Sequence, residues 1–221
     1  MRRVLIIDDQ SPAFAGEIEA DVRDDSGASP QLRHINPSDF FAGSTTPEET
    51  ASKLVAEVAK AASEFWDVIA IDLFLGDFGF RNHGNLEICL RVAEAVREHN
   101  KSATVLLYSG TLAKYINELL SVGASDTQLR RIFHAGVSNF VPRNRVAREV
   151  ISAVDNPSWL LRVDRLLMKH ATLVVGPEEA AFKGRSFSNL AMAVRRQDDD
   201  GQKIAELTAE HGIACFADLN S

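Results

Sequence analysis

The sequence has few cysteines and no excess of positive charge. Only two of its 221 residues are cysteine, Cys89 and Cys215, and they form no CxxC pair. A disulfide framework and a CxxC redox motif are therefore excluded, and we expect reduced, buried thiols. The formal net charge of −7 argues against a broad electrostatic grip on nucleic acid or on anionic lipid.

Long apolar runs are also missing. No run approaches the roughly 20 apolar residues that a membrane helix needs. The basic start of the chain leads into the apolar run Val4–Ile7, which stops at Asp8. This run is too short for the core of a signal peptide and predicts a strand instead. We therefore expect a cytoplasmic protein without a membrane segment.

Several common functional motifs do not occur. The six histidines show neither HxxxH nor HExxH spacing, which argues against a zinc site. Neither GxxxxGK[ST] nor GxGxxG is present, so nucleotide binding through those loops has no support. The length and the hydrophobic fraction of 45% suit one medium domain with an appendage, or two small domains.

Short apolar runs alternate with helical patterns over the first two-thirds of the chain. The predicted strands are Val4–Ile7, Gln31–Ile35, Val68–Ile71, Thr104–Tyr108 and Ser138–Val141. Helical patterns cover 13–22, 46–65, 86–99, 112–134 and 145–154, with a capping box at Thr46 and Glu49. This alternation predicts an α/β fold with a doubly wound, five-stranded parallel sheet.

Asn156-Pro157 is the best domain boundary, so we predict one domain at 1–156 and a small, mainly helical extension at 157–221. Within the extension we expect an amphipathic helix from Trp159, a strand-like Thr172–Val175 and at least one further helix over about 188–210. The run Asp198-Asp199-Asp200-Gly201 is predicted to be a solvated turn, because it lacks the alternating oxygen ligands of a calcium loop.

The charge of the extension bears on its role. It contains 8 Lys or Arg and 9 Asp or Glu, whereas a DNA-reading helix-turn-helix normally shows a basic stripe. DNA binding is therefore unlikely on the basis of composition. A helical segment that binds a partner protein or a second copy of the chain, or that packs on the first domain, fits better.

Polar side chains follow the predicted strands where each strand ends. Asp8 and Asp9 follow the first strand, Asp72 the third, Ser109 the fourth and Arg143 the fifth. In a doubly wound sheet these ends form the site of chemistry. Three carboxylates placed together repel one another, and Mg²⁺, which prefers oxygen ligands, removes that conflict. A hydroxyl and a guanidinium at the rim provide donors for a phosphoryl group.

Four short motifs at these strand ends resemble the receiver domain of bacterial two-component response regulators, the CheY-like family. They are Ile6-Ile7-Asp8-Asp9, Ile71-Asp72-Leu73, Leu107-Tyr108-Ser109-Gly110 and Phe140-Val141-Pro142-Arg143. Each is weak alone, but their order and their placement at strand ends are specific together. The resemblance covers about residues 1–156 and implies a flavodoxin-like receiver fold.

The resemblance also implies roles for individual residues. Asp72 matches the phosphoacceptor, and Asp8 and Asp9 match the acidic pair that holds Mg²⁺ together with Asp72. The backbone carbonyl of Phe74 matches the remaining protein ligand.

Two further positions match family residues that respond to phosphorylation. Ser109 would hydrogen-bond the transferred phosphoryl group, and Phe140 stands where the family keeps an aromatic that swings inward. Such a protein is not an enzyme beyond its own phosphorylation and dephosphorylation. Its partners would be a histidine kinase or a phosphotransfer protein and a downstream protein.

Two alternatives remain open at this point. A pseudo-receiver adaptor would keep the fold and bind partners without phosphorylation. A Mg²⁺-dependent phosphatase of the haloacid dehalogenase type is less favoured, because Gln10 stands where that motif needs a second Asp.

The sequence departs from the receiver pattern in three ways. Arg143 occupies the position of a lysine, and a planar guanidinium is not equivalent to an ammonium. Asn144 replaces the proline that usually follows. The loops around 37–46, 76–84 and 121–129 are long. The loop at 76–84 is either an exposed connector or a cover over the phosphorylation pocket. In the second case Asp77, Arg81 or His83 would tune the lifetime of the phosphoryl group.

Overall fold

The chain forms two units, Met1–Asn156 and Pro157–Ser221. A computed structural model describes residues 3–10, 12–26, 30–41, 46–76, 84–110, 130–132, 134–175 and 182–208. The predicted roles of Asp77, Arg81 and His83, most of the predicted helix at 112–134, and Cys215 lie outside these residues.

The first unit contains one five-stranded parallel sheet. Its strands are β1 Arg3–Ile7, β2 Gln31–Ile35, β3 Val68–Asp72, β4 Thr104–Ser109 and β5 Val137–Pro142. They lie in the order β2-β1-β3-β4-β5, and every pair is parallel. All five residues of the central strand β3 are buried, as expected for a strand covered by helices on both faces.

Helices cover both faces of this sheet. The helices are α1 Pro12–Ser26, α2 Pro47–Ala62, α3 Gly84–His99 and α4 Val146–Asp155, with 3-10 turns at Pro37–Phe40 and Arg143–Arg145. Helix α1 packs with α4, and α2 packs with α3, against separate apolar clusters. The predicted doubly wound, flavodoxin-like fold is therefore confirmed.

Local sequence signals account well for the start of α2. The Thr46 hydroxyl accepts a hydrogen bond from the Glu49 amide at 3.2 Å, and Pro47 occupies the first helical position. Proline fits there because its missing N–H has no intrahelical partner in any case. The predicted helix start at Thr46 is confirmed.

The second unit is helical and has its own small core. It contains α5 Trp159–Lys169, α6 Phe187–Arg196 and a further helix over 199–208. The core consists of Val163, Phe182, Leu190, Ala193, Val194 and Ile204. Among its described residues, the predicted strand Thr172–Val175 is reduced to one antiparallel bridge between Val174 and Ser186, so that prediction was wrong in extent.

The helical region expected over about 188–210 contains two helices in its described part. Gln197 adopts a left-handed conformation with φ of 52° and ends α6. The Asp198 carboxylate then accepts a hydrogen bond from the Gly201 amide at 3.0 Å. This contact is the N-cap interaction that aspartate favours, so the acidic run opens the next helix and is not the predicted solvated turn.

Among the described residues, none of the helices has the length and apolar character needed to cross a bilayer.

Candidate functional site

The sheet order brings the predicted acidic residues together at the carboxyl ends of neighbouring strands. Ile7 at the end of β1 pairs with Ile71 of β3, so Asp8 and Asp72 emerge side by side. One carboxylate oxygen from each of Asp8, Asp9 and Asp72 lies within 4.8 Å of the others. Asp8 and Asp72 are buried, and Asp9 is half-buried. We call these three residues the acidic cluster.

Backbone amides orient the two buried carboxylates. The amide of Gln10 donates to Asp8 Oδ1 at 2.6 Å, and the amide of Phe74 donates to Asp72 Oδ1 at 3.0 Å. Both contacts close a turn directly after a strand, a local arrangement that aspartate favours. Each carboxylate therefore directs its other oxygen, Oδ2, toward groups from distant parts of the chain.

Arg143 is the cation of the site. The 3-10 turn after β5 places it so that its Nη2 donates to Asp72 Oδ2 and lies 3.7 Å from Asp8 Oδ2. Its guanidinium lies over the rings of Phe14 and Tyr108, at 5.2 and 5.9 Å from the ring centres. A planar guanidinium can pair with a carboxylate and stack on aromatic rings at once, which an ammonium does less well.

The charges of the site do not balance. Among the described residues, three carboxylates face one guanidinium, which leaves an excess of two formal negative charges when all three acids are ionised. Burial, reinforced by the Asp8 charge, raises the pKa of Asp72 to about 7, although the Phe74 amide and Arg143 oppose this. Burial and Asp8 also raise the pKa of Asp9. Protonation or a bound cation relieves this excess.

The donor set fits Mg²⁺. Mg²⁺ favours carboxylate oxygens in an octahedron with bonds of about 2.1 Å, and it commonly retains several waters. Three carboxylate oxygens within 4.8 Å of one another are close to the spacing of that octahedron. A divalent cation would also neutralise the excess of two charges. The acidic cluster is thus a candidate Mg²⁺ site.

The remaining predicted residues occupy different surroundings. Ser109 is buried at the end of β4, in register with Pro142, the residue before Arg143. Phe140 is partly buried and packs against the apolar cluster on the α2 and α3 side. Phe74 is exposed, and the role of its carbonyl as a metal ligand stays a prediction.

The segment after β3 passes beside the cluster. Gly76 has a φ of 98°, and a Cβ there would lie 3.6 Å from Asp9 Oδ2 and 3.5 Å from the Phe41 ring. Glycine is favoured by this backbone conformation. The long loop around 76–84 therefore starts in contact with the site.

Sequence reasoning missed the tyrosine of the site. The Tyr108 hydroxyl donates to Asp8 Oδ2, although the two residues are 100 positions apart. A signal was present, because Tyr108 follows three aliphatic residues in a mostly buried strand and a buried phenol usually finds a hydrogen-bond partner. The residue that it contacts depends on the strand order.

An open cleft of about 490 Å³ adjoins the cluster between α1 and the turn after β5. Phe14 and Ile18 provide apolar lining, Glu17 and Asp21 provide carboxylates, and Arg143 lies where the cleft meets the cluster. Arg143 thus lines the cleft and also contacts Asp72.

Comparisons with known proteins give only distant likenesses. No model of a known protein family matches the chain, and a search of curated proteins finds no match. Among solved structures, adenylate cyclase from Rhodopirellula baltica is 16% identical with a TM-score of 0.38, covering 76% of this chain and 97% of that chain.

Two further solved structures are similarly distant. NtrX from Brucella abortus, solved in complex with ATP, is 13% identical with a TM-score of 0.39; the match covers 87% of this chain but only 33% of NtrX. RcsB from Salmonella enterica, bound to promoter rprA in the presence of phosphomimetic BeF3−, is 13% identical with a TM-score of 0.37, and the match covers 99% of both chains. With all TM-scores below 0.5, the fold is assigned from the sheet itself.

Proposed function

We propose that this protein is a phosphorylation-controlled signalling switch of a two-component phosphorelay, acting in the cytoplasm. It accepts a phosphoryl group on Asp72 with Mg²⁺ and thereby changes a protein–protein contact. The main support is the arrangement around Asp72, a buried acid at the end of β3 that shares one cluster with Asp8 and Asp9 and contacts Arg143.

The transfer itself is a simple displacement. The Asp72 Oδ2 atom attacks the phosphorus of the donor, the bond from phosphorus to the donor's nitrogen or oxygen breaks, and its electron pair leaves with the donor. An acyl phosphate on Asp72 results. Bound Mg²⁺ supplies charge neutralisation for the phosphoryl oxygens. Such transfers depend mainly on alignment and electrostatics, which this site can provide.

Arg143 and Ser109 have complementary parts in this proposal. Arg143 holds Asp72 Oδ2 before transfer and donates to a phosphoryl oxygen afterwards. Among the described residues its buried Nε has no hydrogen-bond partner, so the guanidinium retains a donor. Ser109 follows the β4 residue that pairs with Asp72 and would donate its hydroxyl to the same group. Phe140 would move as this bond forms.

The partners follow from the same proposal. A histidine kinase or a phosphotransfer protein would deliver the phosphoryl group along the cleft beside Arg143. The acyl phosphate would carry a charge of about −2 in place of the single charge of the ionised carboxylate, and this change would bias the contacts of the first unit. Output passes to a downstream protein or to a second copy of the chain, with residues 157–221 as the candidate region. Catalytic turnover on other substrates is not expected.

One observation favours the adaptor alternative. Arg143 already donates to Asp72 Oδ2, the oxygen that would attack phosphorus. If this contact persists in all states, the protein keeps the receiver fold and binds its partners without phosphorylation.

Intact-protein mass separates these proposals. After incubation with acetyl phosphate and Mg²⁺, we expect one added phosphoryl group, lost in Asp72→Asn and when Mg²⁺ is chelated. Asp67→Asn is the matched control, since Asp67 is a buried aspartate immediately before the same strand and accepts the Arg3 amide at 2.7 Å. This control should label like wild type.

The possible failures point to different conclusions. Labelling that persists in Asp72→Asn contradicts the assignment of the phosphoacceptor. Wild-type protein that binds Mg²⁺ but is not labelled by acetyl phosphate or by a cognate kinase supports the adaptor. In that case Asp72→Asn should bind its partner normally.

A further inference from the structure

Tyr108 connects parts of the site that lie far apart in the chain. It is fully buried in β4 and pairs in register with Asp72. Its hydroxyl donates to Asp8 Oδ2, while the other oxygen of Asp8 accepts from the Gln10 amide. Both oxygens of Asp8 are thus held by donors, one local and one from the middle of the sheet.

The Tyr108 ring makes separate contacts. Its centre lies 6.2 Å from that of Phe14, and the Arg143 guanidinium lies over both rings. The ring therefore supports the cation while the hydroxyl binds an anion. Replacement of tyrosine by phenylalanine would remove the hydrogen bond to Asp8 and preserve the ring contact with Arg143.

The hydroxyl contact has a specific physical consequence. A buried carboxylate with one free oxygen can rotate, and rotation of Asp8 would change the spacing of the cluster oxygens. A charge-assisted hydrogen bond at each oxygen opposes that rotation. Burial and Asp8 raise the pKa of Tyr108, so the phenol remains a donor. Partners of this kind around metal ligands govern the affinity of the site.

We propose that Tyr108 is a positioning residue for divalent-cation binding, which acts by holding the Asp8 carboxylate in the orientation that the acidic cluster requires. This inference rests on the Mg²⁺ site of the proposed function and adds a residue to it. Tyr108 itself does not contact the cation.

Calorimetric titration with Mg²⁺ alone tests the proposal. In Tyr108→Phe we expect the Kd for Mg²⁺ to rise about tenfold, the size that loss of a hydrogen-bond partner of a metal ligand commonly has. Thr50→Val is the control, because it also removes a buried hydroxyl, which donates to the Thr46 carbonyl within α2. Thr50→Val should bind Mg²⁺ as wild type does.

A second measurement leaves Tyr108 in place. In Tyr115→Phe, Tyr108 is the remaining tyrosine of the two in the chain. Addition of Mg²⁺ should change the ultraviolet difference spectrum of tyrosine, because the carboxylate that accepts its hydrogen bond then shares its charge with the cation. The change should saturate with the calorimetric Kd.

The outcomes distinguish this inference from the proposed function. An unchanged Kd in Tyr108→Phe, an equal rise in Thr50→Val, or no tyrosine signal overturns the role of Tyr108 and leaves phosphorylation of Asp72 possible. If wild type shows the expected Mg²⁺ results but is never labelled, Tyr108 keeps its role and the phosphoryl switch fails. Wild type that binds no Mg²⁺ overturns this inference.

Discussion

Each unit contains a buried aspartate paired with an arginine, and the two pairs differ in the balance of charge around them. In the second unit, Arg195 Nε and Nη2 both contact Asp164, each at 2.9 Å, and both side chains are almost fully buried. In the first unit, Arg143 donates to Asp72 through Nη2 and is 28% exposed. Two further carboxylates, those of Asp8 and Asp9, lie beside the Asp72–Arg143 pair.

The two pairs differ in whether their charges cancel. One acid and one base in bidentate contact neutralise each other, so the Asp164–Arg195 pair needs no further ligand. Among the described residues, the acidic cluster keeps an excess of negative charge that the Arg143 guanidinium does not neutralise. That excess lowers stability and favours binding of a cation.

The largest expected effect is from breaking the balanced pair. Asp164→Ala leaves the buried Arg195 charge uncompensated and should destabilise the second unit by about 3–5 kcal/mol. Hydrogen exchange followed by mass spectrometry should show faster exchange in α5 and α6. The double variant Asp164→Leu/Arg195→Met removes both charges and should restore most of the protection. Wild-type protection in Asp164→Ala would contradict a structural role.

At the acidic cluster we expect removal of a charge to stabilise the protein, whereas Asp164→Ala destabilises it. The pKa of Asp72 is about 7 in the folded protein, against 3.8 as the ordinary value. Between these pH values the folded state holds a proton that the unfolded state has lost, so stability falls as pH rises from about 4 to 7. Without metal at about pH 8, Asp72→Asn should therefore raise the free energy of unfolding by on the order of 2–4 kcal/mol relative to wild type.

Urea unfolding in the presence of a chelator measures this gain. The advantage of Asp72→Asn should shrink as the pH falls toward about 4, where the wild-type cost disappears. Asp67→Asn, which leaves the cluster intact, should not show this pH profile. If Asp72→Asn is no more stable than wild type at about pH 8, burial of Asp72 has no such cost.

The smallest expected effect is that of Arg143 on the affinity for Mg²⁺. Arg143→Gln removes a positive charge from beside the candidate metal site, so Mg²⁺ should bind more tightly, by on the order of tenfold. Arg145→Gln makes the same charge change in the same turn and is the control. Calorimetry measures both variants. Weaker Mg²⁺ binding in Arg143→Gln would show that Arg143 organises the cluster and does not compete with the cation.

Local patterns predicted those parts of the first unit that depend on neighbouring residues. The strand Gln31–Ile35 and the start of α2 were predicted at the observed residues, and the start of α2 was predictable because capping and proline act within a few positions. The acidic residues at the strand ends were also identified, since parallel strands bring their carboxyl ends to one edge. In the second unit, a turn was predicted at Asp198-Asp199-Asp200-Gly201, but local patterns did not show that α6 ends at Gln197 or that Asp198 caps the next helix.

The sequence by itself determined which residues end the strands and which chemistry they can carry: carboxylates for a cation, with a hydroxyl and a guanidinium nearby. Only the tertiary structure decided that Arg143 contacts Asp72, 71 positions away, and that Tyr108 binds Asp8. The physical reason is the separation along the chain over which each interaction acts. Capping and strand formation depend on adjacent residues, whereas the partner of a buried polar group depends on which strands become neighbours and on the side chains that their packing brings within about 3 Å.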